Sequence, residues 1–261
     1  MSTVLDGIVA AHRRATADDP RSLDDVVAAA EAATPVRPFR PVLIADAGLA
    51  VIAEIKRRSP SKGALAPDLD PAGLAATYAE AGAACLSVLT DAEFFGGSAA
   101  DLQAARGACA RPVLRKDFTV DERDVYDARA MGADAVLLIV AALTDDELGR
   151  FRALAAALGL AALVEVHDEE EVRRALAAGA DLVGVNQRDL RTFAVDTDRA
   201  VRLAEAIPAG VVRVAESGIR DGADAARLAA AGYDAVLVGE SLVTAPDPGA
   251  ALRALRAGPP A

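Results

Sequence analysis

The chain has 261 residues and a formal net charge of −11, and its composition of 53% hydrophobic and 26% charged residues excludes an intrinsically disordered protein. The acidic balance opposes nucleic-acid binding, because a phosphate backbone requires a basic surface. The longest uncharged apolar run, residues 153–164, is shorter than the roughly 20 residues that span a bilayer. The first residues also lack the basic and apolar regions of a signal peptide, so we expect a cytoplasmic protein with no membrane or nucleic-acid partner.

The first 50 residues form an extension ahead of the first strand. They contain two amphipathic patterns that predict helices over 4–15 and 22–32, followed by a proline-containing stretch at 35–41. Two interpretations of this extension stay open from the pattern alone. It either plugs one end of the main fold or covers an active-site mouth.

A recurring sequence motif indicates the architecture of residues 51–261. Four times, a helical pattern ends in a glycine that is followed by a short apolar strand, at Gly82, Gly132, Gly179 and Gly232. The spacing is about twice one strand–helix unit, so four copies imply eight strands. The predicted strands are 51–56, 84–89, 112–116, 134–140, 160–166, 181–186, 211–216 and 234–239.

Helical patterns lie between these strands, and they include 71–81, 123–131, 145–158, 169–178, 196–206 and 222–231. Strands that alternate with helices build parallel sheets with right-handed crossovers. The sequence therefore predicts an α/β protein, a (β/α)8 TIM barrel over 51–261 that forms one domain with the N-terminal helical extension, 1–50.

Polar residues stand at the carboxyl ends of the predicted strands, where barrels of this type carry their active sites. They are Glu54, Lys56, Lys116, Glu165, Asn186, Glu216 and Ser217. Lysine is otherwise rare, since Lys62 is the one other lysine in the chain. Strands one, three, five and seven contribute to a shared layer of barrel interior side chains. We therefore expect Lys56, Lys116, Glu165 and Glu216 to form a charged layer under the mouth; the alternative is a buried ion-pair network without catalysis.

The loops after strands seven and eight predict a phosphate site. They contain Ser217-Gly218 and Gly239-Glu240, and the latter pair opens a short helix. Glycine exposes backbone N–H groups, and a helix N-terminus favours an anion. Ser59, in the loop after strand one, is a further candidate. A tight turn explains each glycine taken alone.

Other candidates each have a simpler alternative. Arg188 could hold a carboxylate or form a solvated ion pair with Asp189. Phe94 and Phe95 could line an aromatic pocket or pack within their loop. His167 is interpreted as a hydrogen-bonded bystander, and His12 is assigned no role. Cys85 and Cys109 lack metal or disulfide spacing, and no metal or nucleotide motif is present, so no metal or organic cofactor is expected.

Eight strings at the strand ends together resemble one known family, indole-3-glycerol-phosphate synthase of tryptophan biosynthesis, over nearly the whole chain. In order they are AEIKRRSPSKG, LSVLTDAEFFGGS, PVLRKDF, VLLIV, LVEVH, GVNQRDL, VAESGI and VLVGESL. The resemblance implies a lyase that closes the indole ring of 1-(2-carboxyphenylamino)-1-deoxyribulose 5-phosphate, releasing carbon dioxide and water without a cofactor. It also implies that the N-terminal extension covers the barrel mouth.

The resemblance implies a role for each candidate. Lys116 is the general acid, and Glu165 with Lys56 serves the later dehydration. The substrate hydroxyls and the lysines are oriented by Glu54, Asn186, Glu216 and the adjacent Ser217. The phosphate is bound by Ser59, Gly218, Gly239 and the backbone of Glu240. The substrate carboxylate is bound by Arg188, and the aromatic ring contacts Phe95. The Glu240 side chain must then point away from the phosphate.

The chemistry of Lys116 leads to an expectation about its pKa. We expect the neighbouring Lys56 and partial burial to lower it, so that Lys116 can donate a proton near neutrality. Competing functions are another phosphate-binding barrel, such as phosphoribosylanthranilate isomerase or a sugar-phosphate lyase, and a non-catalytic barrel. The expected partner is a phosphorylated small molecule, and the low aromatic content is compatible with a monomer.

Overall fold

A closed barrel of eight parallel strands forms the centre of the molecule in the computed structural model, which describes residues 3–45, 48–189 and 192–257. The barrel strands are β1 (Ala50–Ile55), β2 (Cys85–Leu89), β3 (Val113–Lys116), β4 (Ala135–Ile139), β5 (Ala161–Val166), β6 (Leu182–Asn186), β7 (Val212–Glu216) and β8 (Ala235–Val238). Each strand pairs with its neighbours along the chain, and β8 closes on β1 with Ala235 opposite Ala50. The predicted TIM barrel is confirmed, and each strand bound lies within one residue of the prediction.

Helices separate the strands and precede them. They are α1 (Val4–Ala17), α2 (Leu23–Glu31), α3 (Phe39–Ile44), α4 (Pro71–Glu80), α5 (Ala99–Ala108), α6 (Glu122–Ala130), α7 (Asp145–Ala157), α8 (Glu169–Ala177), α9 (Arg199–Leu203), α10 (Gly222–Ala230), α11 (Glu240–Val243) and α12 (Pro248–Ala257). Helix α9 is shorter than the predicted 196–206, because the chain tightens into a 3-10 turn at Ala204–Ala206. Within the described ranges, no helix has the length and apolar character needed to cross a membrane.

The four glycines of the recurring motif follow helix ends and adopt the left-handed backbone conformation. Their φ angles are 96° at Gly82, 89° at Gly132, 81° at Gly179 and 87° at Gly232. After α4, the N–H of Gly82 donates to Ala79 and the N–H of Ala83 donates to Tyr78, which satisfies carbonyls that the helix leaves unpaired. A side chain would strain this backbone, so glycine is needed where each of these helices turns into the following strand.

The alternation of side chains along each strand separates two apolar clusters. On β1, Ala50 and Ile52 lie inside the barrel, whereas Val51, Ala53 and Ile55 pack outward against the helices. The same alternation places Glu54 inside the barrel, two positions beyond Ile52. Inward carboxylates at the strand ends therefore follow from the register of the strands.

The N-terminal extension contacts both ends of the barrel. Helix α1 lies at the carboxyl ends of the strands, where His12 contacts Asp91 and Asp117 in the loops after β2 and β3. Leu5 and Ile8 of α1 are buried in the inner cluster. Helix α1 thus covers part of the mouth.

Helix α3 occupies the opposite end. Phe39 and Leu43 are buried in the inner cluster, and Arg40 donates hydrogen bonds to the carbonyls of Asp181 and Gly210, which precede β6 and β7. The two interpretations of the extension are therefore both correct, each for a different helix. The sequence pattern did not show this division because both helices present an apolar face.

Candidate active site

One cavity at the carboxyl ends of the strands contains every site residue that the sequence predicted. Its lining includes Glu54, Lys56, Ser59, Phe95, Lys116, Glu165, Asn186, Arg188, Glu216, Ser217, Gly218, Gly239 and Glu240. These residues come from β1, β3, β5, β6 and β7 and from the loops that follow them and β2 and β8. The closed barrel brings them together because all parallel strands end at the same rim.

The charged side chains form two linked groups on the cavity floor. Lys116 Nζ lies 3.1 Å from Glu165 Oε2 and 3.1 Å from Glu216 Oε2. Lys56 donates a hydrogen bond to Glu54 on the same face of β1. Both carboxylates that hold Lys116 are about 1% exposed. The four residues of the predicted layer therefore all face the cavity, with one ammonium shared between two carboxylates.

The pKa of Lys116 differs from the sequence expectation. Burial acts to lower the pKa of Lys116, but the carboxylates of Glu165 and Glu216 outweigh it and hold the pKa above its ordinary value. The expected lowering by Lys56 is wrong, because Lys56 is paired with Glu54 while Lys116 faces carboxylates. Lys116 is therefore an ammonium throughout the neutral range.

The two carboxylates around Lys116 ionise differently. Burial and the charge of Glu165 raise the pKa of Glu216 to about 7, against the opposing effect of Lys116. Burial also acts to raise the pKa of Glu165, but Lys116 and then His167 overcome it and lower the pKa. One ammonium thus keeps Glu165 ionised while its neighbour Glu216 retains its proton more readily.

We expect the stability of the protein to report the Glu216 ionisation. A carboxyl group whose pKa is raised on folding contributes its full stability below its unfolded pKa and loses it as the pH rises through about 7. Glu216→Gln removes the ionisation and keeps an acceptor for Lys116. As the pH rises from about 5 to 8, the wild type loses this stabilisation and the variant does not. The free energy of unfolding of the variant should therefore rise relative to that of the wild type by on the order of 1–3 kcal/mol. A pH-independent margin in thermal unfolding would contradict this assignment, and Glu170→Gln, an exposed carboxyl change, is the control.

Two glycines make room for these carboxylates. A Cβ on Gly184, in β6, would overlap Glu216 Oε1, and a Cβ on Gly239 would overlap Glu54 Oε1. Gly184 lies in the string GVNQRDL, but the sequence prediction did not include it. A glycine inside a strand is the signal that indicates close approach of another group.

We expect Gly184→Ala to damage activity more than stability. The added methyl group displaces the Glu216 carboxylate from Lys116, so kcat should fall by about tenfold or more. Gly149→Ala is the matched control, because a Cβ at that position on α7 meets no atom within 4 Å. Equal kcat values for the two variants would show that the position of Glu216 does not matter for turnover.

One wall of the cavity is apolar. Phe95 and Phe118 lie on it with ring centroids 6.3 Å apart, and Leu137 and Ile139 of β4 extend the same wall. Phe94 and Phe95 both pack, partly buried, against the inner apolar cluster, and of the two Phe95 also lines the cavity. The prediction missed Phe118, although it stands two residues after Lys116 in the string PVLRKDF.

The loops of the predicted phosphate site adopt the backbone shapes that glycine allows. Ser217 and Gly218 have φ angles of 65° and 72°, so two successive residues are left-handed after β7. Gly239 immediately precedes α11, whose first N–H groups have no helical acceptor. The Glu240 carboxylate lies 3.5 Å from Lys62 Nζ, so its side chain has a cationic partner at the rim.

Arg188 is held between two neighbours at the rim. It donates to the carbonyl of Phe193, and its guanidinium lies 3.9 Å from the Glu240 carboxylate. Asp189, the alternative partner considered from the sequence, lies 4.0 Å from Arg199. An incoming substrate anion would have to compete with Glu240 for Arg188.

Among the described residues, one group of side chains has the spacing of metal ligands, namely His12, Asp91 and Asp117. The oxygens of Asp91 already accept hydrogen bonds from His12 at 2.9 Å and from the N–H groups of Phe94 and Phe95. Asp117 likewise binds Arg115. These bonds satisfy the carboxylates and tie α1 to the mouth, which is a role for His12 that the sequence did not reveal.

Comparisons with known proteins find one family over nearly the whole chain. The model of the family "Indole-3-glycerol phosphate synthase" matches residues 5–255. A protein of that name from Nocardioides sp. is 54% identical over 96% of this chain and 97% of its own length, and one from Streptomyces coelicolor, "Indole-3-glycerol phosphate synthase 2", is 51% identical over 98% and 99%.

Solved structures show the fold alone. The structure of a 3-hexulose-6-phosphate synthase has a TM-score of 0.62 and 19% identity, and covers 80% of this chain and 99% of that one. A thiamine phosphate pyrophosphorylase from Pyrococcus furiosus has a TM-score of 0.60 and 20% identity, with 80% and 94% covered. The match of the family model and the identity to curated relatives over nearly the full length show that this chain belongs to the indole-3-glycerol phosphate synthase family.

Proposed function

We propose that the cavity closes the indole ring of 1-(2-carboxyphenylamino)-1-deoxyribulose 5-phosphate with Lys116 as the general acid. The observation that carries this proposal is the position of Lys116 Nζ, 3.1 Å from both Glu165 and Glu216, between the apolar wall and the glycine loops. An ammonium fixed in a largely buried site can stabilise the negative charge that develops on a carbonyl oxygen during attack.

The two ends of the substrate match different walls of the cavity. The phosphate binds the loops that contain Ser59, Gly218, Gly239 and the backbone of Glu240, where N–H groups and the start of α11 favour an anion. The aromatic ring binds near Phe95, with its carboxylate directed to Arg188. Binding at both ends holds the flexible ketose chain with its carbonyl over the charged floor.

Ring closure begins at the carbonyl carbon. The aromatic carbon that bears the carboxylate attacks this carbon, a carbon–carbon bond forms, and the carbonyl oxygen takes the proton of Lys116. The carboxylate then leaves as carbon dioxide, and the electron pair of the broken bond restores the aromatic ring. The raised pKa of Lys116 ensures that the ammonium is protonated before this step, and the negative charge that develops on the oxygen makes this atom the base that takes the proton.

Dehydration follows at the same carbon. The new hydroxyl leaves as water after Lys56 protonates it, and Glu165 accepts the proton that the ring system loses. We assign Glu165 as the base because its pKa is lowered by Lys116 and His167 against the effect of burial, so it is ionised before the step. Glu54 holds Lys56, while Asn186, Glu216 and Ser217 orient the substrate hydroxyls and Lys116.

Turnover of the purified chain tests this proposal. Incubation with 1-(2-carboxyphenylamino)-1-deoxyribulose 5-phosphate should produce the indole chromophore and one equivalent of carbon dioxide. Phosphoribosylanthranilate serves as the second substrate, since an isomerase would convert it instead. Failure to form indole, with the ketose recovered unchanged, would overturn the proposal.

We expect Gly218→Val to weaken phosphate binding. Valine strains a left-handed backbone, and a Cβ at this position would lie 2.6 Å from Val195 Cγ1, so the loop must move. A cost of about 1–3 kcal/mol corresponds to a rise of about 5- to 150-fold in the Kd of inorganic phosphate and in KM. Unchanged values of both would place the phosphate elsewhere. Gly107→Ala, with open space around its Cβ, is the control.

We further infer that residues 1–50 and the barrel fold as one domain. Leu5 and Ile8 of α1 and Phe39 and Leu43 of α3 share a buried cluster with barrel strands, which supports a single cooperative unit. Helix α1 also supplies His12 to the loops of the mouth. The domain assignment predicts one unfolding transition for the whole chain.

A further inference from the structure

His167 lies near the carboxylate oxygen of Glu165 that does not contact Lys116, and it moves no proton in the reaction described above. It follows β5 directly, and its Nε2 lies 3.6 Å from Glu165 Oε1. Its Nδ1 lies 3.0 Å from Glu171 Oε2 on α8, which also accepts the backbone N–H of His167 at 2.7 Å. The imidazole therefore connects an active-site carboxylate to a second carboxylate outside the barrel.

The hydrogen bonds fix where the ring carries its first proton. A carboxylate oxygen accepts, so Nδ1 must donate its N–H to Glu171. In a neutral ring, Nε2 is then a bare acceptor that faces Glu165 Oε1. Both of these atoms are buried, and neither has a hydrogen-bond partner among the described residues.

Two buried acceptors that face each other are costly. Each unsatisfied buried polar atom costs about 1–3 kcal/mol, and the lone pairs also repel. One added proton between Nε2 and Oε1 removes both penalties, since it supplies a donor to one atom and an acceptor to the other. The proton resides either on an imidazolium or on the Glu165 carboxyl group.

We propose that Glu165 and His167 share one proton, and that His167 is a positioning residue that sets the ionisation of Glu165. The inference rests on the proposed function, in which Glu165 accepts a proton during dehydration. The exchange is balanced, because the proton moves between Nε2 and Oε1 while the other ring proton stays on Nδ1, bound to Glu171.

His167 also lines a cleft on the outside of the barrel, together with Arg199 and Arg202. It therefore separates this cleft from the catalytic cavity.

The charged groups around the imidazole favour the protonated ring. Burial and Arg199 act to lower the pKa of His167, but Glu165 and Glu171 outweigh them and raise it. On the other side of Glu165 lie the ammonium of Lys116 and the Asn186 side chain, which stabilise the ionised carboxylate. These charges favour the imidazole over the Glu165 carboxyl group as the site of the shared proton.

Nuclear magnetic resonance of the histidine ring nitrogens tests the shared proton. The chain has two histidines, so 15N-histidine labelling gives two ring systems, and His12→Gln assigns them. For His167, we expect Nδ1 to stay protonated across the titration and Nε2 to titrate, with Glu165→Gln lowering the pKa by about one unit or more. A neutral ring protonated at Nε2, or a titration that Glu165→Gln leaves unchanged, would overturn the proposal.

The kcat–pH profiles of two substitutions distinguish this effect on Glu165 from a purely structural role of His167. His167→Gln retains a donor for Glu165 without a charge, whereas His167→Asn retains only the donor for Glu171. Loss of the imidazolium raises the pKa of Glu165, so the acidic limb of the kcat–pH profile should move to higher pH. The shift should be larger in the asparagine variant. Identical limbs in all three proteins would overturn the proposal.

The resonance experiment needs no turnover, so it separates the two claims. If the wild-type protein forms no indole, the proposed function fails, while the ring nitrogens still decide whether the proton is shared. If indole forms normally and the titration of His167 ignores Glu165, the inference alone fails.

Discussion

Lys116→Arg is expected to lower kcat by about 10²–10⁴-fold. Arginine keeps the positive charge, and it can still contact Glu165 and Glu216, which lie 3.1 Å from the native ammonium. It does not release a proton near neutral pH, and its planar guanidinium is wider than an ammonium. Proton transfer to the carbonyl should therefore be lost while the charge balance of the cavity remains.

Two measurements distinguish this result from a folding defect. The Tm and the Kd of inorganic phosphate should stay near the wild-type values, because Lys116 lies on the floor and the phosphate loops are separate from it. Lys62→Arg is the matched substitution at an exposed lysine and should retain most of the activity. Activity of Lys116→Arg within a few-fold of the wild type would refute the role of Lys116 as general acid.

Glu165→Gln is expected to have the second large effect, a fall in kcat of about 10²–10⁴-fold. Glutamine keeps an oxygen that can accept from Lys116, but it cannot take up a proton. Condensation and decarboxylation do not require this base, so an intermediate that has lost carbon dioxide but not water should accumulate. KM should change little, because the phosphate and ring contacts remain.

Rapid-quench analysis with substrate labelled in the carboxylate measures this effect. We expect a burst of labelled carbon dioxide in Glu165→Gln that exceeds the indole formed. Glu170→Gln, which changes an exposed carboxylate of α8, should behave as the wild type. Equal and unimpaired release of carbon dioxide and indole would assign the base of the dehydration to another residue.

Much of the site was predictable because the polar residues stand at strand ends, and the fold brings all of these ends to one rim of the barrel. The helix-ending glycines and the strands between them specify eight parallel strands, and polar residues at strand ends must then meet at one rim. Glu54 on β1 and Lys56, the first residue after this strand, lie two positions apart and share a face because the extended chain continues past Ile55. The same reasoning placed the glycine loops after β7 and β8 beside them.

Errors arose where a property depends on distances between elements. The pKa of Lys116 is raised because its near neighbours are Glu165 and Glu216, from strands 49 and 100 residues further along the chain. Sequence spacing gave no ranking between these carboxylates and Lys56. Gly184 was missed for the same reason, since its function is to leave space for a side chain on the next strand.

The sequence by itself determined the barrel, the rim and the residue types that converge there, because strand and helix periods and turn residues are local properties of the chain. Only the tertiary structure decided how charge is shared, how α1 and α3 divide the two ends of the barrel, and that His167 joins Glu165 to Glu171. These features depend on atoms a few ångströms apart that lie on different elements. Proton affinity follows such distances, and local sequence does not encode them.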